Sequence, residues 1–420
     1  MTAVDSERSA IRHGTSIVER QPSNVDVSIA LTLFTLLVCA AFVISYFRGL
    51  IFGHKYPYDT FLPSGSLWRV DALRYWRVGI SATEESFGTA ISKLPVARVL
   101  PAISDSISMS PIAGYLGSLL IFCGAGIYAV CLILRRRGPI IQFVILVFVL
   151  SCYPSMLLFQ SGNPKLHAFA LLMCAAVAAQ RHQWGRYAVW VGIACSLSPI
   201  TFLFVFLPLH DKGLSRRWDP VVKGLCIAVS LNVVALLVLP TRIMSSPLIR
   251  VVELSRKILA DYQSYLSRSE FNPIDLMYSH GIVTTVETIL GPKLITESVW
   301  PIGIFVAGVI LSFGILMRYA KSGAPLSRSW IFIAASTCLY TPLSSDVNLF
   351  LIVPGIILLL ADESHSPRHL LIIVATILIC VPKPWGYVGW YPWANANIWL
   401  TSLLLVGLSL PIHRRKSIEH

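Results

Sequence analysis

The chain has 420 residues and a formal charge of +13; it is 55% hydrophobic and only 13% charged. Soluble domains carry about 25% charged residues, so these proportions exclude a soluble fold and indicate an integral membrane protein. The basic excess does not point to nucleic acid, because most basic residues cluster at the ends of apolar runs, where they orient membrane helices.

Residues 1–26 are polar, with no compact apolar core and no cleavage-site pattern. They read as a disordered cytoplasmic tail, not a signal peptide. The first apolar helix, Val27 to Phe47, is followed by a stretch of 48–111 that is too long for a simple connector. Tyr56-Pro57-Tyr58-Asp59 lies near its start. Further apolar segments recur near 112–134, 139–159, 166–180, 187–209, 221–240, 299–318, 330–341, 347–361, 369–382 and 398–412. Several fall short of the ~20 residues of a straight span, which a bundle tolerates where short helices line a cavity. The pattern predicts an all-α polytopic membrane protein, a single bundle of about 11–12 transmembrane helices over 27–413, with outer loops 48–111 and 241–298 and a cytoplasmic tail 414–420.

Basic clusters set the topology. They are Arg8, Arg12 and Arg20; Arg135-Arg136-Arg137; Arg181 and Arg186; Lys212, Arg216, Arg217 and Lys223; Lys321 and Arg328; Arg368; and Arg414-Arg415-Lys416. All should be cytoplasmic. Arg186 and Lys212 flank a single apolar segment, so one crossing would put one of them outside. A hairpin turning at Ser196-Leu197-Ser198-Pro199 keeps both inside, and proline at the turn breaks helix hydrogen bonding. The hairpin reading puts both termini in the cytoplasm. It gathers the loop after the first helix, Lys165, Ser198-Pro199, Asp346 and the aromatic stretch Lys383 to Trp399 on the far side.

Ionisable side chains between apolar runs are functional candidates, because burying them is costly. Lys165 and Asp346 are the cleanest cases. In the 48–111 loop, Leu67, Val70 and Leu73 alternate with Arg69, Arg74 and Arg77, as in an amphipathic helix lying on a membrane. Residues 249–266 form a comparable element. The stretch from Pro384 to Trp393, dense in Trp and Tyr, reads as an interfacial belt, with a grip on a sugar ring or lipid as the alternative. All nine cysteines lie in or beside apolar runs without a CxxC pair, which fits packing residues and neither a zinc site nor a disulfide framework.

Serine-hydrolase, P-loop and zinc-protease motifs are absent. An enzyme working at the outer face would need an activated donor carried in the membrane, and a lipid-phosphate sugar fits. Its transfer requires a carboxylate base for the acceptor hydroxyl and cations near the departing phosphate. Asp59 can supply the first; Lys165, Arg69 or Arg268 can supply the second. No metal or cofactor is needed for this scheme.

Three motifs carry a family resemblance. Asp59 lies just beyond the first helix. Gly162-Asn163-Pro164-Lys165 is followed by an apolar helix and then Ser198-Pro199-Ile200-Thr201. Pro342-Leu343-Ser344-Ser345-Asp346-Val347-Asn348 precedes the apolar run Phe350 to Leu360. In order and spacing the chain resembles the GT-C superfamily of polyprenyl-phosphate-sugar glycosyltransferases, and within it glycosyltransferase family 87, which includes mycobacterial mannosyltransferases. The resemblance implies a GT-C-like bundle in a bacterial inner membrane and a hexose, mannose-like, moved with inversion from a polyprenyl-phosphate donor to a glycan or glycolipid hydroxyl of the cell envelope. It implies Asp59 as base, with Asn163, Lys165, Asp346 and Asn348 at the substrate site. The family's motif histidine is replaced by Val347 and its motif lysine by Ser198, so no role is carried to either position, and Lys165 stands in the neighbouring turn. Two other readings use the same membrane features: a lipid-linked glycan polymerase or ligase, which tends to carry its large outer loop late in the chain, and a transporter or flippase, which tends to repeat its broken helices in two halves.

Overall fold

The computed structural model describes residues 96, 97, 99, 110–161, 165–211, 217–238, 281, 282, 300–341, 346–361, 367–380 and 396–409. Among them are eleven α-helices, two 3₁₀ segments and no strand. Helices α1 (Pro111–Ile133), α2 (Pro139–Ser151), α3 (Tyr153–Ser161), α4 (Lys165–Gln180) and α5 (Trp184–Leu197) come first, followed by a 3₁₀ segment, Pro199–His210. Then come α6 (Trp218–Val238), α7 (Trp300–Ser322) and α8 (Leu326–Tyr340). A second 3₁₀ segment, Asp346–Ile352, runs into α9 (Val353–Ala361), with α10 (Pro367–Cys380) and α11 (Ala396–Ser409) after it. The first apolar helix, both tails, the amphipathic and aromatic stretches and most of the two long loops lie outside the described residues.

Among the described residues, three helices are long and apolar enough to cross a membrane: Ile112–Ile133, Trp218–Ala235 and Gly303–Ser322. They keep large apolar side chains on the outside, such as Leu120, Val229 and Ile310. In water such a surface would drive association; in lipid it is the expected exterior. The protein is an all-α polytopic membrane protein.

Proline places many of the breaks. Pro111, Pro139, Pro154, Pro301, Pro354 and Pro367 each occupy the first or second position of a helix, where a missing N–H costs nothing. This explains a departure from the expected continuous span 139–159. Pro154 cannot donate to Leu150, and its ring would clash there. The chain therefore becomes extended at Cys152 (φ −66°, ψ 154°) and restarts as α3. Pro354 acts likewise in the segment expected at 347–361, which starts as a 3₁₀ segment and becomes α-helical only at Val353.

The segment expected at 187–209 is a hairpin. α5 ends at Leu197, Ser198 is extended (φ −146°, ψ 110°), and the 3₁₀ arm returns along α5. The Tyr187 hydroxyl donates to the Phe204 carbonyl across the two arms at 2.5 Å. At the open end the Trp184 indole donates to Asp211 Oδ2 at 2.7 Å, and His182 Nδ1 lies 3.0 Å from the same oxygen. The residues flanking the apolar segment thus end side by side, as the charge argument requires.

Trp330 of α8, fully buried, ties this hairpin to the rest of the core. Its ring lies 5.0 Å from Phe204 and 6.4 Å, edge-on, from Tyr187. Its indole N–H donates to Leu351 of the second 3₁₀ segment at 3.1 Å. Gly355 of α9 permits this closeness: a Cβ there would sit 2.9 Å from the Trp330 ring and 2.7 Å from Ile331.

Connectivity gives the bundle two unlike ends. The close of α1, α4 and α9 and the start of α5 share one end with Arg135-Arg136-Arg137, Arg181 and Arg186. There Gln180 donates to Ile133, and Arg137 donates to Leu360. The opposite end holds the starts of α1 and α4, the Ser198-Pro199 turn, the close of α8 and the start of the second 3₁₀ segment.

Helices α5 and α6 cross where Gly192 meets Gly224. A Cβ on Gly192 would lie 2.8 Å from the Gly224 carbonyl oxygen and 2.9 Å from the Ile227 side chain. Gly192→Val should therefore lower stability by about 1–3 kcal/mol, read as a reduced thermal midpoint in detergent; an unchanged midpoint would contradict the close crossing.

Candidate functional site

The end opposite the arginines brings together polar side chains from distant parts of the sequence. Lys165 is the first residue of α4, and Asn348 is the third residue of the second 3₁₀ segment. They are 183 residues apart in sequence, yet Lys165 Nζ donates to Asn348 Oδ1 at 2.5 Å. Asn348 is buried at 1% exposure and Lys165 is partly buried. The neutral amide oxygen accepts from the ammonium and fixes its direction. The start of α4 adds the partial positive charge of a helix N-terminus at the same place.

Asn348 is itself held from behind. Its carbonyl accepts from the Cys338 thiol at 3.4 Å, near the close of α8. The Trp330 contact to Leu351 fixes the same 3₁₀ segment one turn further on. The amide that orients Lys165 is therefore anchored on α8.

His167, two residues after Lys165, was not among the sequence-predicted site residues. Its Nε2 lies 3.2 Å from Ser118 Oγ on α1. Ser118 uses its hydroxyl proton on the Gly114 carbonyl at 2.9 Å, so it accepts from the imidazole, and Nε2 of the neutral ring carries the proton. This bond ties the first turn of α4 to α1. Its only sequence signal is a histidine in the first turn of an otherwise apolar helix.

The structure thus brings Lys165 and Asn348 together. Asp346 opens the same 3₁₀ segment, two residues before Asn348, with its side chain outside the described residues. Asp59, Arg69, Asn163 and Arg268 lie outside the described residues altogether. Chemically, the arrangement is a directed cation beside a helix N-terminus, suited to an anionic oxygen.

The family model for glycosyltransferase family 87 matches residues 95–342. The matched span contains Lys165, His167 and the Ser198-Pro199 turn; Asp59 and Asn348 lie beyond its two limits. No curated protein and no solved structure matches the chain.

A double-mutant cycle of Lys165→Met and Asn348→Leu, followed by thermal unfolding, should give a coupling of about 1.5–3 kcal/mol, the range for a hydrogen bond to a charged group. Additive effects would remove the pair.

Proposed function

Because the chain belongs to glycosyltransferase family 87 and is therefore a membrane glycosyltransferase, we propose that it moves a mannose-like hexose from a polyprenyl-phosphate donor to a glycan or glycolipid hydroxyl at the outer face of a bacterial inner membrane. The observation that carries this reading is the Lys165–Asn348 pair. It puts a directed positive charge at the end of the bundle opposite the arginine clusters. By the positive-inside rule those clusters face the cytoplasm, so the pair faces out.

In the proposed reaction Asp59 takes the proton from the acceptor hydroxyl. The acceptor oxygen attacks the anomeric carbon from the face opposite the phosphate, and the bond from that carbon to the phosphate oxygen breaks. The phosphate leaves with the electron pair, and configuration inverts. The Lys165 ammonium stabilises the negative charge that grows on the departing oxygen, an interaction stronger in the transition state than in the ground state. Arg69, Arg268 and Asn163 complete the donor site, and Asp346 lies beside it. A polyprenyl tail suits this placement, since the donor then needs no aqueous route.

The family assignment supports a glycosyltransferase over the polymerase, ligase and transporter readings.

Reconstituted enzyme should transfer mannose from polyprenyl-phosphate mannose to an envelope glycolipid. Asp59→Asn should lower turnover by roughly 10²–10⁴, as for loss of a general base. Lys165→Ala should lower it by roughly 10²–10³, as for loss of one transition-state donor. Undiminished transfer by Asp59→Asn would remove it as base. Absence of transfer with every lipid-linked hexose would overturn the donor class.

A further inference from the structure

At the basic end, a cavity of about 380 Å³ opens where α1, α4 and α9 finish. This is within the roughly 300–1,000 Å³ range of small-ligand sites. Four arginines line it, Arg135, Arg136, Arg137 and Arg181, together with Gln180 and Ala361; among the described residues no carboxylate does.

The ordinary role for arginines at helix ends is to satisfy the last carbonyls. Here other groups do so. Gln180 donates to Ile133 at 3.2 Å, and Gln142 donates to the Leu134 and Arg137 carbonyls at 3.1 and 3.0 Å. The last turn of α4 is closed by the backbone N–H groups of Arg181, His182 and Gln183. Among the described residues, of the four guanidinium groups only that of Arg137 bonds a carbonyl, Leu360, at 3.4 Å. Among the described residues Arg135, Arg136 and Arg181 have no side-chain partner, and all three are exposed. Each of the three helix C-termini contributes about half a negative charge. Four guanidinium groups exceed that total, so the cavity is left with a surplus of positive charge.

We propose that this cavity binds the phosphodiester headgroup of an anionic membrane lipid. Guanidinium forks match phosphate oxygens bidentately, and basic pockets between transmembrane helices at a membrane surface suit such headgroups. The site is distinct from the Lys165 end. It lies at the far end of α4, which at 1.5 Å per residue is roughly 22 Å away.

The test uses the full chain with Arg135→Gln, Arg136→Gln and Arg181→Gln combined. Thermal unfolding would be followed in neutral phosphatidylcholine micelles with added phosphatidylglycerol, or with inorganic phosphate. Native mass spectrometry would count retained lipid. Phosphatidylglycerol should raise the wild-type midpoint and be retained. Each arginine near an anionic surface contributes roughly a fivefold factor, so the triple variant should bind on the order of a hundredfold more weakly. An equal response in wild type and variant would overturn the proposal, as would a response to inorganic phosphate alone. A variant already destabilised in neutral lipid would overturn it too, by assigning the arginines to a structural pairing, for example with Asp362 or Glu363, which follow Ala361. The readout does not involve transfer activity, so it stands or falls apart from the enzyme's proposed donor.

Discussion

A lipid interior offers no partner to a broken helix, so each backbone group freed by a break must be satisfied from within the protein. This constraint organises the bundle. Among the described residues, two segments leave the α-helical pattern, Pro199–His210 and Asp346–Ile352, and in both the carbonyls receive side-chain donors from regular helices. Tyr187 donates to Phe204, Trp330 to Leu351 and Cys338 to Asn348. The donors are buried and stand on α5 and α8, so the irregular segments are held by the most regular ones.

The candidate site is a by-product of the same arrangement. A 3₁₀ segment rises faster per residue than an α-helix and turns more tightly. It delivers Asn348 to the start of α4 with its backbone already tied to α8. Lys165 enters from the other side, on a helix whose first turn is tied to α1 through His167 and Ser118. Three elements that share no sequence neighbourhood, α1, α4 and the segment after α8, are thereby joined at one end. An ammonium fixed in this way can meet developing negative charge without reorganising, which is how preorganised electrostatics lowers a barrier. Among the described residues, Arg135, Arg136, Arg137, Arg181 and Arg186 form a diffuse positive cluster at the opposite end, whereas Lys165 at the candidate site is held in one direction.

Much of this was legible in the residues. The apolar runs gave nearly every helix within a few positions, because burial in lipid demands long apolar stretches. The two basic clusters around 187–209 favoured a turn at Ser198-Pro199 over a kinked single span, and the Trp184–Asp211 contact closes that hairpin. The break at Cys152 was missed, although Pro154 announces it: apolar content alone cannot tell one span from two short helices. Lys165 and Asn348 were each singled out, yet their pairing was not, since 183 residues separate them. His167 was passed over, because one polar residue in an apolar helix carries no partner in its own sequence.

Sequence alone therefore determined the class of the protein, most of its helix positions, the segregation of its charge and its family, all of which follow from local composition and short motifs. Tertiary structure alone decided which polar groups meet. The Lys165–Asn348 pair, the His167–Ser118 tie and the arginine-lined cavity each join residues from different helices. Their closeness depends on crossings such as Gly192 against Gly224 and Gly355 against Trp330, where the absence of a side chain sets how near two backbones come. That distance is a property of the packed bundle, and no single segment of the chain contains it.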